Sequence, residues 1–536
     1  MAEFNLIDEP WIPCIDLNDQ QIEYGIRDTL LKAHELREIC DDSPLVTVAI
    51  HRLLLAILYR AHSGPKDFEM WKNMYKEQKF NENRIGDYLD QHKNRFYLMS
   101  NDYPFYQMAH LETNKEVSVI RLASECSSGN NATLFDHSYD EEDINWTPTQ
   151  TAKYLIACQS FALGFGKSGS AKNDKDEKLP YFSDAIALRG MNVWLQGSRL
   201  FDTLLINLVP HEDNSLPPWE LGDPHMYRNR RDAHGIVDRF TWQSRLIRLR
   251  GNGNAFSKMY FMQGRSADKS VGDPMKVYRI SKEEGISALS LSSDKAVWRD
   301  AHSILTVPPP TSRERRPECF NTLARARRAK LIPADERFIA HVVGIASAPK
   351  RAGKFLLWRH ERLPLASKIL DNNTFIERLG DLLKYSEQKA QEQHSRMWKI
   401  ARFYIVPSSG EPSEKQEEDI GALVKKLDPR PAYWARLEKH FFDLLQNLPN
   451  DWDTEADDWK PDDQQHATRT WRKAVLNEAR RALEESVRAL GTTARAISAI
   501  ARVGTDFSEK DLKPQPQHSQ PKEKKSKPGK KGGKNK

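Results

Sequence analysis

Apolar residues recur at helical spacing through the last third of the chain, and in short β-type runs through the first two thirds. These two patterns separate helices from strands. In YWARLEKHFFDLLQNL, Trp434, Leu437, Phe441, Leu444, Leu445 and Leu448 fall on one helical face. Residues 468–502, rich in Ala, Arg, Glu and Leu, predict a second long helical region with Gly491 as a break, and residues 369–385 and 388–404 supply two further helices. The acidic loop DWDTEADDWKPDD and the polar linker VPSSGEPSEKQEED connect them. Four helices with polar connections predict a four-helix bundle over residues 369–504. Earlier in the chain, VSVIRLA, RLIRLR, KMYFMQG and KVYRI read as strands, and residues 149–165 and 338–344 as helices, among many Gly, Pro and Asn turns. The fold class is therefore α+β: a large irregular mixed domain over residues 1–368, then the bundle. The most apolar run, residues 45–59, follows Ser43 as N-cap and Pro44 at the first helical position. Thr47, His51 and Arg52 interrupt it, and it is too short to span a bilayer, so a buried helix is expected and no membrane partner.

Charge changes the picture once it is divided. The chain carries 81 basic and 75 acidic residues, a net +6. Residues 513–536 hold nine lysines and one glutamate, which leaves 72 basic and 74 acidic residues, a net −2, elsewhere. A nearly neutral body does not bind nucleic acid as a general polycation and has to use local patches. Residues 505–536, almost without apolar side chains, predict a disordered Lys-rich tail, either an electrostatic tether to nucleic acid or a solubilising extension. Cys14, Cys40, Cys126, Cys158 and Cys319 are scattered without a CxxC pair, which argues against a structural zinc site or a disulfide framework and fits a cytoplasmic location. The opening MAEFNLIDEPWIP has no secretion-signal pattern. Phosphate-loop and dinucleotide signatures, HExxH, GxSxG and clustered carboxylates for two-metal hydrolysis are missing, so no cofactor and no catalytic residue is assigned.

Three segments invite a ligand. In GFGKSGSAKN, which follows an apolar helix, Gly164, Gly166 and Gly169 let backbone approach a ligand closely while Lys167 adds charge; a flexible helix-ending linker is the plain alternative. The stretch YRNRRDAHGIVDRFTWQSRLIRLR holds seven arginines, and the alternation in RLIRLR suggests one basic strand face, available either for phosphates or for internal ion pairs. Lys350, Arg351 and Lys354 lie on a Pro- and Gly-containing turn before WRHERLPL, a candidate wedge for a groove or base step. His360 beside Glu361 has no nucleophile near it in sequence and reads as structural.

The segments LIDEPWIPC, RFYLMSNDYPFYQ, SGNNATLFDHS, the helix and glycine loop followed by FSDAIALRGMNVWLQGSRLFDTLLINLVP, DRFTWQSRLIRL, WRHERLPL and LEKHFFDLLQNLP occur in this order. Together, over about residues 4–502, the chain resembles the CasA family, the large subunit of the type I-E CRISPR surveillance complex Cascade. The resemblance implies that Asn131, Thr133, Leu134, Phe135 and His137 contact the 5′ handle of the CRISPR RNA (crRNA) and a neighbouring subunit, with Phe135 as anchor. It implies that Gly164, Gly166, Lys167 and Gly169 read the protospacer-adjacent motif (PAM) from the minor groove, where the base pattern is degenerate. It places a strand-separating wedge at Lys350, Arg351 and Ala352, where the family has Gln before Ala and this chain has Arg351. A lysine finger is expected at Lys258, with Arg250 competing.

The implied function is that of a non-catalytic subunit that recognises the PAM in double-stranded target DNA and helps to open the duplex for guide pairing, with R-loop formation. A helicase-nuclease is then recruited for antiviral interference. Implied partners are the crRNA, target DNA, the backbone, handle-binding and small subunits of Cascade, and that helicase-nuclease. A stand-alone metal-dependent nuclease or DNA-modifying enzyme with dispersed carboxylates is the alternative, and a pure protein scaffold acting through the helical bundle a third.

Overall fold

The computed structural model describes residues 3–125, 145–164, 166–168, 181–221, 232–266, 271–281, 285–292, 294–333, 336–347, 355–370, 372–408 and 410–508. Its contacts form two compact units, residues 1–385 with 438–471, and residues 386–437 with 472–536. The division falls within the helices Asn373–Ile405, Arg430–Asn447 and His466–Arg488.

The first unit is organised around the helix Pro44–His62, almost every residue of which is buried. At 19 residues this helix outruns the expected 45–59; it is long and apolar enough to cross a membrane, yet 89% of its most apolar stretch lies inside the unit. Arg52 explains how a charge is tolerated there. Its guanidinium meets Asp273 at 2.8 Å, donates to the Arg239 carbonyl at 3.1 Å and lies 4.6 Å from the Phe240 ring centroid. Burial of a charge is costly unless it is paired in this way. Ser63, at φ 53° in the left-handed region, ends the helix.

Among the described residues all strands belong to this unit, in small antiparallel sheets of two or three. Two three-stranded sheets carry the candidate segments. One has the order Val117–Ser118, Phe256–Gln263, Arg245–Gly251, and the other Phe355–Ala366, Arg337–Ser347, Asn192–Gln196. Two expectations are overturned here. Residues 338–344, read as helix, lie in the central strand Arg337–Ser347, because the β-branched Ile339, Val342 and Val343 are paired from both sides. Of VSVIRLA only Val117 and Ser118 are strand, and Val119–Leu122 turns into a 3₁₀ helix with Ser118 accepting from the Ile120 amide.

In the second unit Met397, Ile400, Ile420, Val424, Leu483, Val487 and Ala496 form one apolar cluster from several helices. The Arg430–Asn447 helix begins with Tyr433 rather than Trp434 buried. Both lie one turn before Leu437, but the Tyr433 hydroxyl finds a buried acceptor, the Ser386 carbonyl at 2.9 Å. At the start of the expected tail, Phe507 packs on the cluster with Arg396 4.4 Å from its ring centroid, and Lys389 donates to the Ser508 carbonyl. Residues 509–536 lie outside the described residues.

Candidate nucleic-acid interface

The glycine loop leaves from the helix Pro148–Phe161. Thr147 and Gln150 form a capping box and Pro148 takes the first helical position, so the N-terminus is closed. The helix stops at Phe161 rather than Phe165 because the next residues pair with the returning chain instead. The Ala185 amide donates to the Ala162 carbonyl, and the Ala187 amide to that of Ser160. Beyond Gly164 the stem continues: the Phe182 amide donates to the Gly166 carbonyl at 3.0 Å, and Lys167 bridges Tyr181 in antiparallel pairing. Residues 165 and 169–180, with Gly169, lie outside the described residues.

The two described glycines serve different ends. A Cβ at Gly164 would stand 2.4 Å from the Asp184 nitrogen and 2.5 Å from the Ser183 carbonyl carbon, so no side chain fits. The Gly164 amide donates to Asp184 Oδ1 at 2.9 Å. Gly166 has φ +74°, and a Cβ there would meet nothing within 4 Å. Its backbone conformation favours glycine, and the space beside it is open. Lys167 is exposed, and across the bridge Tyr181 is 68% exposed. An aromatic ring next to a lysine and an open glycine is a combination that suits nucleic acid, where bases stack and phosphates pair. Tyr181 was not singled out in the sequence, since it lies 14 residues after Lys167 and only the pairing brings it back.

Arg245 holds this stem in place. Fully buried, it donates to the carbonyls of Leu163 at 2.9 Å and Ser183 at 2.8 Å, the two sides of the loop base. Burial pushes its pKa down to about 10. The Arg245 and Arg121 guanidiniums lie 5.1 and 5.2 Å from the Phe182 ring centroid. Ser168 Oγ accepts from the Gln263 amide, and Gln263 Oε1 from the Ser183 amide, so the strand Phe256–Gln263 seats the loop at its C-terminal end.

The expected basic face of RLIRLR is corrected by this arrangement. Alternation turns Arg245 inward with Ile247 and Leu249, and leaves Arg248 and Arg250 on the other side. Lys258 joins that second face: it is exposed and registers opposite Arg250, as Tyr260 does opposite Arg248. Arg250 is tied to Glu116 at 3.3 Å. Lys258 precedes Gln263 by five residues on the same strand, about 17 Å at the usual strand rise. Lys258 and the glycine-loop seat thus occupy opposite ends of one strand.

The first residues of the two candidate loops are neighbours. Ser124 Oγ donates to the Phe161 carbonyl at 3.1 Å, just before residues 126–144 begin on one side and the glycine loop on the other. Asn131, Thr133, Leu134, Phe135 and His137 themselves lie outside the described residues, as do Lys350, Arg351 and Ala352 between the strands Arg337–Ser347 and Phe355–Ala366. The hairpin pairs through Arg337–Ser347 with the strand Asn192–Gln196, which follows the returning side of the glycine loop in the chain.

His360 belongs to the support of the hairpin. His341 bonds through Nε2 to Gln196 Oε1 at 2.5 Å and through Nδ1 to His360 Nε2 at 2.8 Å. The Gln196 amide nitrogen donates to Glu38, which orients the amide so that its oxygen accepts. His341 therefore carries its proton on Nε2 and accepts one from His360. Trp194 stacks at 4.6 Å from His341 and 5.9 Å from His360. Burial lowers the pKa of His341 to about 2 and of His360 to about 4, so both are neutral. Glu361, on the opposite strand face, accepts from the Val297 and Trp298 amides. Among the described residues no group of three or more His, Cys, Asp or Glu side chains is arranged to hold a metal.

Hydrogen-bonded stems lead into the candidate loops of a mixed α+β unit, and the second unit is largely helical, which makes this a two-unit protein of mixed α+β class. The family model for the CRISPR-associated protein Cse1 matches residues 5–482. A CasA/Cse1 protein of Thermus thermophilus is 32% identical over 458 residues, 82% of this chain and 86% of that protein. The chain belongs to the CRISPR-associated Cse1 (CasA) family, the Cascade large-subunit family that its motif order resembles. A crystal structure of Thermus thermophilus CasA superposes with a TM-score of 0.76 at 28% identity, covering 93% of this chain and 97% of that one. A chain from a CRISPR RNA-guided surveillance complex shares the fold, with a TM-score of 0.72 at 16% identity over 94% of this chain and 99% of that one.

Proposed function

We propose that the chain, as the large subunit of Cascade, recognises the PAM of double-stranded target DNA with the glycine loop and helps to open the adjoining base pairs. The observation that carries this reading is the anchored stem whose outer side is open at Gly166 and bears the exposed Lys167. A backbone without a Cβ approaches a minor-groove floor closely, while the lysine neutralises a flanking phosphate. The segment around Lys350, Arg351 and Ala352 acts as the wedge on its hairpin. Residues 131–137 contact the crRNA handle and a neighbouring subunit, and Lys258 or Arg250 supports the duplex from the second sheet. Guide RNA pairing then carries sequence recognition, and cleavage belongs to a recruited helicase-nuclease, so this subunit needs no bond chemistry of its own.

In the assembled ribonucleoprotein, Lys167→Glu and Gly166→Trp abolish binding of a PAM-containing duplex while assembly with crRNA and the other subunits proceeds normally. Lys167 is exposed and a Cβ at Gly166 meets nothing within 4 Å, so only the left-handed φ of +74° opposes the replacement, at about 1 kcal/mol, and the fold is retained. Electrophoretic mobility shift with PAM and scrambled-PAM duplexes measures the effect; full retention of PAM-dependent binding by both variants removes the site.

A further inference from the structure

A second cationic feature lies elsewhere in the first unit. A cleft of about 810 Å³ is bordered by the segment before the helix Glu318–Arg328, by the cleft-facing side of that helix, and by residues 235–239 and 271–278. Its lining includes Arg239, Arg313, Arg315, Arg316 and Arg325, against two carboxylates, Asp273 and Glu318. Both carboxylates are already engaged: Asp273 pairs with Arg52 at 2.8 Å, and Glu318 accepts from Asn321 at 2.8 Å. The cleft therefore keeps an excess of positive charge.

Local structure directs that charge into the opening. Arg315 is fixed by reciprocal backbone hydrogen bonds with Tyr278, at 2.8 and 3.1 Å. Alternation then puts Arg313 and Arg315 on one side and Glu314 on the other, where its carboxylate accepts from the Ile280 amide at 2.9 Å. Arg313, Arg315 and Arg325 are exposed, and no described carboxylate lies within ion-pair distance of any of them. Arg315 donates to the carbonyls of Ser312 and Glu314, and Arg325 rests over the Phe68 ring at 4.5 Å. Arg316 is buried deeper, donating to Asn321 and to the Leu305 carbonyl, and burial lowers its pKa to about 10.

We propose that this cleft binds an unpaired nucleic-acid strand through its phosphates, at a site separate from the glycine loop. Guanidinium forks match phosphate oxygens two at a time, and the lining holds five arginines and no lysine. Val209, Pro210, Ile236 and Ile286 supply apolar wall for sugar and base, which a carboxylate-rich peptide would not use. The volume falls within the range of sites that enclose a ligand rather than touch it. A flexible single strand can send phosphates toward the buried Arg316, whereas a stiff duplex stays at the rim. The inference does not depend on the PAM reading.

The test uses the full chain and a fluorescein-labelled 15-nucleotide oligothymidylate, followed by anisotropy over a salt series. For R313E/R315E the Kd rises at least tenfold, and the slope of log K against log salt falls by about 1.4, two phosphate contacts on a single strand. The neutral pair R313Q/R315Q moves both quantities in the same direction with unchanged thermal melting. K439E, at an exposed lysine outside the cleft lining, leaves both within twofold, and the glycine-loop reading is tested separately by duplex binding, so the two failures are distinguishable. Unchanged affinity and slope in the arginine variants overturn the proposal. So does competition by polyglutamate of equal charge at the same concentration as unlabelled oligonucleotide, which makes the site one for acidic protein, or full competition by low-millimolar inorganic phosphate, which makes it one for a small anion.

Discussion

Gly164→Ala and Gly166→Ala, two substitutions of the same chemistry two residues apart, are expected to differ by more than an order of magnitude in their effect on the glycine-loop stem. At Gly164 the new Cβ would stand 2.4 Å from the Asp184 nitrogen and 2.5 Å from the Ser183 carbonyl carbon. Both neighbours are backbone and cannot rotate away. Overpacking of this kind costs about 1–3 kcal/mol. Separation of the strands also strains the Gly164 amide bond to Asp184 at 2.9 Å, and hydrogen bonds to charged groups contribute about 1.5–3 kcal/mol. The stem should lose about 3–4 kcal/mol from the two effects together. At Gly166 nothing lies within 4 Å, and only the left-handed φ of +74° opposes alanine, at about 1 kcal/mol.

Because the chain has two compact units, a single melting curve does not isolate these numbers. Hydrogen exchange at the Phe182 amide, which donates to the Gly166 carbonyl, reads the stem directly. Gly164→Ala should accelerate that exchange on the order of 100-fold and Gly166→Ala about fivefold, since about 1.4 kcal/mol corresponds to a factor of ten. Equal acceleration in the two variants, or less than tenfold in Gly164→Ala, would refute the steric reasoning.

Arg245→Met orphans the Leu163 and Ser183 carbonyls, whereas the Ser244 carbonyl keeps the Gly264 amide. Two unsatisfied buried acceptors cost about 2–6 kcal/mol, partly offset by removal of a buried charge; limited proteolysis should cut the glycine loop faster while the second unit stays resistant, and an unchanged cleavage pattern sinks the anchoring role. His51 is fully buried, donates to the Thr47 carbonyl, and has its pKa lowered by burial to about 4. The unfolded chain, with a pKa near 6.5, binds more protons at acid pH, so the stability contribution is complete above about pH 6.5 and is lost as pH falls toward 4. The loss approaches about 3 kcal/mol for this side chain. His51→Phe should flatten the fall in urea midpoint between pH 7.5 and pH 4.5, and an undiminished slope would count against it.

The helix periods, the apolar run that became Pro44–His62 and its start at Ser43 and Pro44 were legible because each depends on residues within a few positions of one another. So was the family, since its motifs follow each other along the chain. Residues 338–344 misled because a buried central strand and a buried helix are equally apolar, and only the partners on both sides decide between them. The inward turn of Arg245 was hidden in a run that looks uniformly basic. Tyr181, Asp184 and Gln263 reach the glycine loop only through pairings between distant segments, and Arg52 finds Asp273 across 221 positions. Local sequence thus determined where the long helices run and where a glycine- and lysine-bearing loop follows one of them. Tertiary structure alone decided which charges face solvent and which are buried, because the desolvation of a guanidinium depends on every chain packed around it and not on its neighbours in sequence.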